Sequence, residues 1–211
     1  MSNGLHLSRR VYMFILLLIA ATSFYGCATQ GGAVKVVDYH ASLDRWTAAK
    51  EVTNGFELRL AMKGTFKSLP YRTAYVDQYA SSYRLDAAAG ASMLERQKDD
   101  YEKYNEFFVS VFTADMRWND LDDKKSIWKL YLEDDRGARL SPVSIKRVER
   151  SDPSFHELYP YFDPWSVGYI VLFPKYSETG SEPIPGKDTK QIKLIVTGLL
   201  GEAELVWQMK P

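Results

Sequence analysis

From Phe107 to the C terminus, short runs of apolar residues alternate with polar ones and are separated by turn-forming residues, a rhythm that excludes an all-helical fold. The runs are F-F-V-S-V-F-T, I-W-K-L-Y-L-E, R-L-S-P-V-S-I-K-R-V, V-G-Y-I-V-L-F, K-Q-I-K-L-I-V-T and E-L-V-W-Q-M. In the second, Trp128, Leu130 and Leu132 point one way while Lys129, Tyr131 and Glu133 point the other. V-G-Y-I-V-L-F is apolar on both faces, which suits a central strand. Pro142 cannot donate to a ladder and belongs at an edge or a strand entrance. Residues 134–137, D-D-R-G, form a turn. Six strands at these spacings predict an antiparallel β-sandwich or sheet.

The preceding part has helical character. Asp38 is placed to cap a helix carrying Tyr39, Leu43 and Trp46 on one core-facing side. After Asn54-Gly55 the period becomes two, with Phe56, Leu58, Leu60 and Met62 on the buried side of a strand. Pro70 suits a first helical turn, where its missing N–H costs nothing. Tyr71, Tyr75, Tyr79 and Tyr83 then recur every four residues and stay roughly on one side of a helix. Such a stripe lines a ligand groove or partner surface, or lies half-buried against the sheet with its hydroxyls wet. A second helix is expected from Asp86 to about Phe107, with Leu94, Gln97, Tyr101, Tyr104 and Phe108 on one face. The fold class is therefore α+β, with an N-terminal helical hairpin over about residues 70–106 packed on the strands.

Ahead of this body, Arg9 and Arg10 precede an apolar run from Val11 to about Ala21, the order of an export signal. That run is shorter than the roughly 20 residues of a spanning helix. It ends in Phe24, Tyr25, Gly26 and Cys27, the chain's one cysteine. The Gly-Cys ending resembles the bacterial lipoprotein signal, although Phe24 and Tyr25 depart from its preference for Leu followed by a small residue. The resemblance implies cleavage of residues 1–26, a diacylglyceryl group on the Cys27 sulfur, and a membrane partner through that lipid. Ala28, in place of aspartate, implies sorting to the periplasmic face of the bacterial outer membrane. Two or more acyl chains make a stable anchor where one does not. Residues 27–35 then serve as lipidated cysteine and flexible tether, and 36–211 as a single α+β domain.

Charge and chemistry narrow the function. The chain has 27 basic and 27 acidic side chains, and removal of Arg9 and Arg10 leaves a near-neutral body with no electrostatic reason to bind nucleic acid. With Cys27 lipidated, no thiol remains for a disulfide, a metal or catalysis. No phosphate-binding loop, nucleophile elbow, zinc-protease motif or dinucleotide fingerprint occurs. His40 and His156 are far apart, so a three-histidine metal site is excluded in the mature chain, and no cofactor is expected. Asp115, Asp120, Asp122 and Asp123 lack the glycine and terminal glutamate of a calcium loop and read as turn residues. Asp134 and Asp135 read likewise.

Two connections remain. Residues 174–189 are polar and structureless by composition, whereas residues 151–166 combine three prolines, five aromatics and His156. The rings of Phe155, Tyr159, Tyr161, Phe162 and Trp165 either plug the open end of the sandwich or present a contact surface. The sequence thus predicts a membrane-anchored interaction or assembly factor of the envelope with a protein partner and no catalysis. A lipoprotein binding a small apolar or glycan ligand, and a carboxylate-dependent hydrolase, are the alternatives.

Overall fold

In the computed structural model, Asp38 caps the first helix, α1 (Tyr39–Trp46), by accepting from the backbone N–H groups of His40 and Ala41. The structure describes residues 38–178 and 180–209, within a compact unit spanning Val36–Pro211. The expected signal, Cys27 and the tether lie outside the described residues. None of the described helices is long and apolar enough to cross a membrane.

After α1 come β1 (Thr47–Asn54), β2 (Glu57–Phe66), α2 (Leu69–Ser82), α3 (Ala87–Lys103) and β3 (Tyr104–Thr113). A 3₁₀ turn (Met116–Trp118) leads to β4 (Trp128–Asp134), β5 (Arg139–Leu140), β6 (Ser144–Arg147) and α4 (Pro153–Leu158). The chain closes with β7 (Val167–Pro174), β8 (Gln191–Gly198) and β9 (Gly201–Gln208). All pairings are antiparallel, in one sheet of order β1-β2-β3-β7-β6 and another of order β5-β4-β8-β9. The fold is mixed α+β.

The sheets face each other across one core. Trp207 on β9 meets the rings of Phe66 and Phe107 from the five-stranded sheet. Gly64 on β2 makes room for Leu205, whose Cδ2 would lie 3.1 Å from an added Cβ. Phe66, Phe107, Tyr169, Phe173, Leu132 and Leu194 are fully buried there. Each such side chain contributes about 1.5–3 kcal/mol.

The five-stranded sheet is covered on its other face too, which explains the two apolar faces of β7. Phe108 points away from Phe107 and stacks on Tyr159 at 4.0 Å and Phe155 at 5.4 Å. Gly168, beside it, admits Phe162 and Val148.

Several expectations need correction. Thr47–Asn54 is an edge strand that alternation did not reveal, because its burial is weak throughout. Phe56 is not on the inward side of β2; it sits in the β1–β2 turn after Gly55, which has φ +61°, and is fully exposed. The second helix stops at Lys103, so Tyr104 and Phe108 belong to β3. That helix buries none of its residues completely. The R-L-S-P-V-S-I-K-R-V run is broken at Pro142 into β5 and β6, which join different sheets. Residues 174–189 are not simply solvated: Lys175, Ile184 and Thr189 are buried, and Asn105 on β3 donates to the carbonyls of Pro174 and Ile184.

Candidate functional site

The tyrosine stripe passes from core to solvent along α2. Ser68 caps the helix and Leu69-Pro70 open it, which fixes where each ring lands. Tyr71 is fully buried, Tyr75 and Tyr79 are half-buried, and Tyr83 is 60% exposed. Successive rings touch, with centroids 6.0 Å apart for Tyr75 and Tyr79 and 4.4 Å for Tyr79 and Tyr83. At four-residue spacing the row drifts around the helix, so its inner end enters the core while its outer end leaves it.

The inner end is structural. Tyr71 and Tyr39 hydroxyls lie 3.0 Å apart, and the Tyr39 hydroxyl donates to the Leu158 carbonyl at 2.5 Å. Tyr159 joins this cluster through Tyr71. Burial pushes Tyr39 up to about 12 and Tyr71 and Tyr159 well above the ordinary phenol value. These hydroxyls are held as neutral partners, tying α1, α2 and α4 together.

The outer end opens into a groove of about 400 Å³ lined by Tyr39, His40, Gln78, Tyr79, Tyr83, Ser154, Glu157 and Leu158, among others. Its walls come from the start of α1, the last turn of α2 and the first turns of α4. Glu157 is exposed at this lining and makes no salt bridge among the described residues. The groove therefore offers aromatic surface, neutral hydrogen-bonding groups and one carboxylate.

Beneath α2 and α3 runs a buried polar network. Arg72, 1% exposed, donates to the Lys67 carbonyl, to Gln97 Oε1 at 2.6 Å and to Glu106 Oε2 at 2.8 Å. Lys67 Nζ takes the other oxygen of Glu106 at 2.7 Å. Burial alone would raise the Glu106 carboxyl, but the two cations prevail and hold it below its ordinary value. Nearby, Lys175 lies over the Tyr101 ring at 3.7 Å and donates to Asn105 Oδ1 at 3.0 Å. Burial lowers its amine to about 8. These interactions fix where the helices meet β3, and each charged group already has partners.

The expected aromatic contact surface is divided. Tyr159 and Phe162 are 2% and 3% exposed, and Phe155 and Tyr161 are half-buried. All four rings gather around Phe108. Tyr161 also shares a hydrogen bond with Thr65 at 2.6 Å. Tyr159 and Phe162 therefore belong to the core and do not face a partner; Trp165, 75% exposed, is the one ring of this group that stands in solvent.

The remaining chemical candidates are occupied. Asp115 pairs with Arg117 and Asp122 with Arg147, Asp120 accepts from Ser126, and Asp123 accepts from the Lys125 backbone N–H. Asp134 accepts the backbone N–H groups of Arg136 and Ala138, closing the turn at Gly137. His156 does not engage Glu157: its Nδ1 is 3.0 Å from the Phe162 carbonyl oxygen and its Nε2 is 3.1 Å from that of Arg150. Among the described residues, no group of three or more His, Cys, Asp or Glu side chains is placed to hold a metal.

No family model matches this sequence, and no curated protein matches it. Among solved structures, the chain is similar to a crystal structure of a protein of unknown function from Burkholderia pseudomallei, with 10% identity, coverage of 79% of each chain and a TM-score of 0.36.

Proposed function

We propose that this chain is a lipid-anchored envelope protein, cleaved before Cys27 and held at the periplasmic face of the bacterial outer membrane, where it acts as a non-catalytic interaction or assembly factor. In this reading the α2–α3 hairpin packs on the β-sandwich as an arm, and its outer end receives a segment of an envelope protein. The observation that carries the reading is the aromatic groove ending in Tyr79 and Tyr83. It is lined by rings whose inward neighbours are already locked in the core, so binding there orders few new groups. Glu157 gives the groove a negative charge, which fits a segment with an apolar side chain followed by a cation. A non-catalytic role agrees with the structural partners of Asp115, Asp120, Asp122, Asp123 and His156.

A small glycan is the second reading, favoured by Gln78, Ser154 and Glu157 standing beside the faces of Tyr79 and Tyr83. A photo-crosslinking residue at Gln78, introduced into the full chain in living cells, separates the two. A protein adduct that disappears in Tyr83→Ala and Glu157→Lys supports the segment. Absence of an adduct, with glycan fragments protecting the groove, overturns it in favour of the glycan. Intact mass of the membrane fraction tests the anchor: loss of residues 1–26 with gain of lipid is expected, and an uncleaved N terminus or a free thiol at Cys27 refutes it.

A further inference from the structure

Five large apolar side chains stand exposed on four turns at one end of the two sheets. Phe56 is 111% exposed in the β1–β2 turn, Leu199 90% in the β8–β9 turn and Trp165 75% just before β7. Met116 and Trp118, 51% and 38% exposed, are the first and last residues of the 3₁₀ turn after β3. Strand register places all of them at the same end. The Leu60↔Thr113 and Val111↔Val167 pairs align the start of β2, the end of β3 and the start of β7. The Trp128↔Gly198 pair aligns the start of β4 with the end of β8, and Trp128 Nε1 donates to the Trp118 carbonyl. Gly201, opening β9, lies against Val52 near the end of β1.

We infer that this end of the sandwich is a membrane-docking surface that inserts Phe56, Leu199 and Trp165 into the interfacial layer of a phospholipid bilayer. The side chains project from four separate turns, whereas a protein interface needs anchors packed into pockets of a complementary surface. A fluid bilayer accepts separate projections, and tryptophan and phenylalanine favour its headgroup boundary. The cleft beside Met116 has the matching chemistry: apolar Val148 and Val167 adjoin Arg147 and Arg150, with Glu149 also on its lining. Arg147 pairs with Asp122, whereas Arg150 donates to the Ser166 carbonyl and makes no salt bridge among the described residues, leaving its charge for a lipid phosphate.

Chain length permits this orientation, and here the inference rests on the lipid tether proposed above. Ten residues separate Cys27 from Asp38, and the eleven Cα–Cα steps between them span at most about 36–40 Å. The ten residues of β2, which run the length of the sheet, cover roughly 33 Å. The tether can therefore reach the bilayer with the turn end facing it, and the two attachments reinforce each other as linked binding events.

The test uses a chain beginning at residue 28, which keeps every described residue of the core, from Tyr39 to Trp207, and Met209 packed against it. It is mixed with vesicles of phosphatidylethanolamine and phosphatidylglycerol, with and without a brominated acyl chain. Three of the five tryptophans, Trp46, Trp128 and Trp207, are buried, so a change in emission reports on Trp118 and Trp165. The expected result is a blue shift with bromine quenching. A Phe56→Ser, Leu199→Ser double variant should partition roughly 100-fold more weakly with unchanged thermal unfolding. Tyr83→Ser, in the groove, should bind vesicles like the parent. No quenching at any lipid concentration, equal partition of parent and double variant, or self-association through these residues in place of vesicle binding would overturn the inference. Cys27 is absent from the tested chain, so failure of lipidation in cells leaves this result unmoved, and a negative vesicle result leaves the mass gain on Cys27 intact.

Discussion

The Arg72 guanidinium and the Glu106 carboxylate meet at 2.8 Å and join α2 to β3 across 34 residues of sequence. Both side chains are withdrawn from water, and Lys67 satisfies the second carboxylate oxygen. Removing one member of a buried network leaves the others desolvated and unpaired, which costs about 3–5 kcal/mol. Glu106→Gln should destabilise the fold by that order in urea titrations at neutral pH. The carboxyl is held below its ordinary value, so its stabilisation is present above about pH 4.5 and fades as pH falls through the lowered value. The acid limb of the stability profile should therefore be shallower in Glu106→Gln than in the parent; parallel limbs would show that the cations do not act on this carboxyl.

Lys175 gives a signature of opposite sign. Its amine is lowered from 10.5 to about 8, so between those values the unfolded chain holds more protons than the folded one. Stability contributed by this position therefore rises as pH increases from 8 to 10.5, relieving an unfavourable contribution of about 3 kcal/mol that is fully present below pH 8. Lys175→Met keeps the stem over Tyr101 and removes the charge. The advantage of the variant over the parent should shrink across that window. Buried tyrosines shift in the other direction and lose stability above about pH 10, but they are common to both chains and cancel in the difference.

What the sequence disclosed follows from whether the signal was local. The cap at Asp38, the Pro70 helix start and the alternation of Trp128, Leu130 and Leu132 are all encoded within a few residues, and the structure has each of them. Thr47–Asn54 lacked alternation because this edge strand has no fully buried position. Tyr101, Tyr104 and Phe108 fitted a helical stripe, yet Asn105, Phe107, Val109 and Val111 fit a strand equally well; pairing with β7 decided between them. The groove depends on α1, α2 and α4 meeting, and only its Tyr79 and Tyr83 wall was visible as a periodic signal. The exposed turn end had no local signal at all, because Phe56, Met116 and Leu199 come together only through strand register.

Gly168 tests how tightly the outer layer is packed on the five-stranded sheet. A Cβ there would lie 2.5 Å from Val148 Cγ2, 3.0 Å from Phe162 Cζ and 3.2 Å from Phe108 Cε2. Gly168→Ala should cost about 1–3 kcal/mol through overpacking. The strain falls where α4 and its following loop cover the sheet, so amide exchange should accelerate around Tyr159 and Phe162 more than around Leu194 in the other sheet. Uniform acceleration across both sheets would argue that the two layers unfold as one unit.

Tyr159 and Trp165 lie six residues apart on the same aromatic segment, and the structure gives them opposite environments. Tyr159 stacks on Phe108 at 4.0 Å and is 2% exposed, whereas Trp165 is 75% exposed and its backbone N–H is held by Asp163. Tyr159→Ala removes a buried ring and its place in the hydroxyl cluster, a loss of about 3–5 kcal/mol typical of large aromatic truncations. Trp165→Ala should change stability by less than about 0.5 kcal/mol, as for a surface side chain without packed neighbours. Vesicle partition should show the reverse order when measured on folded protein: Trp165→Ala weakens it while Tyr159→Ala, at a denaturant-free temperature where it remains folded, does not. A large stability loss in Trp165→Ala would return that ring to the protein's own core, and retained vesicle binding in the same variant would remove it from the docking surface.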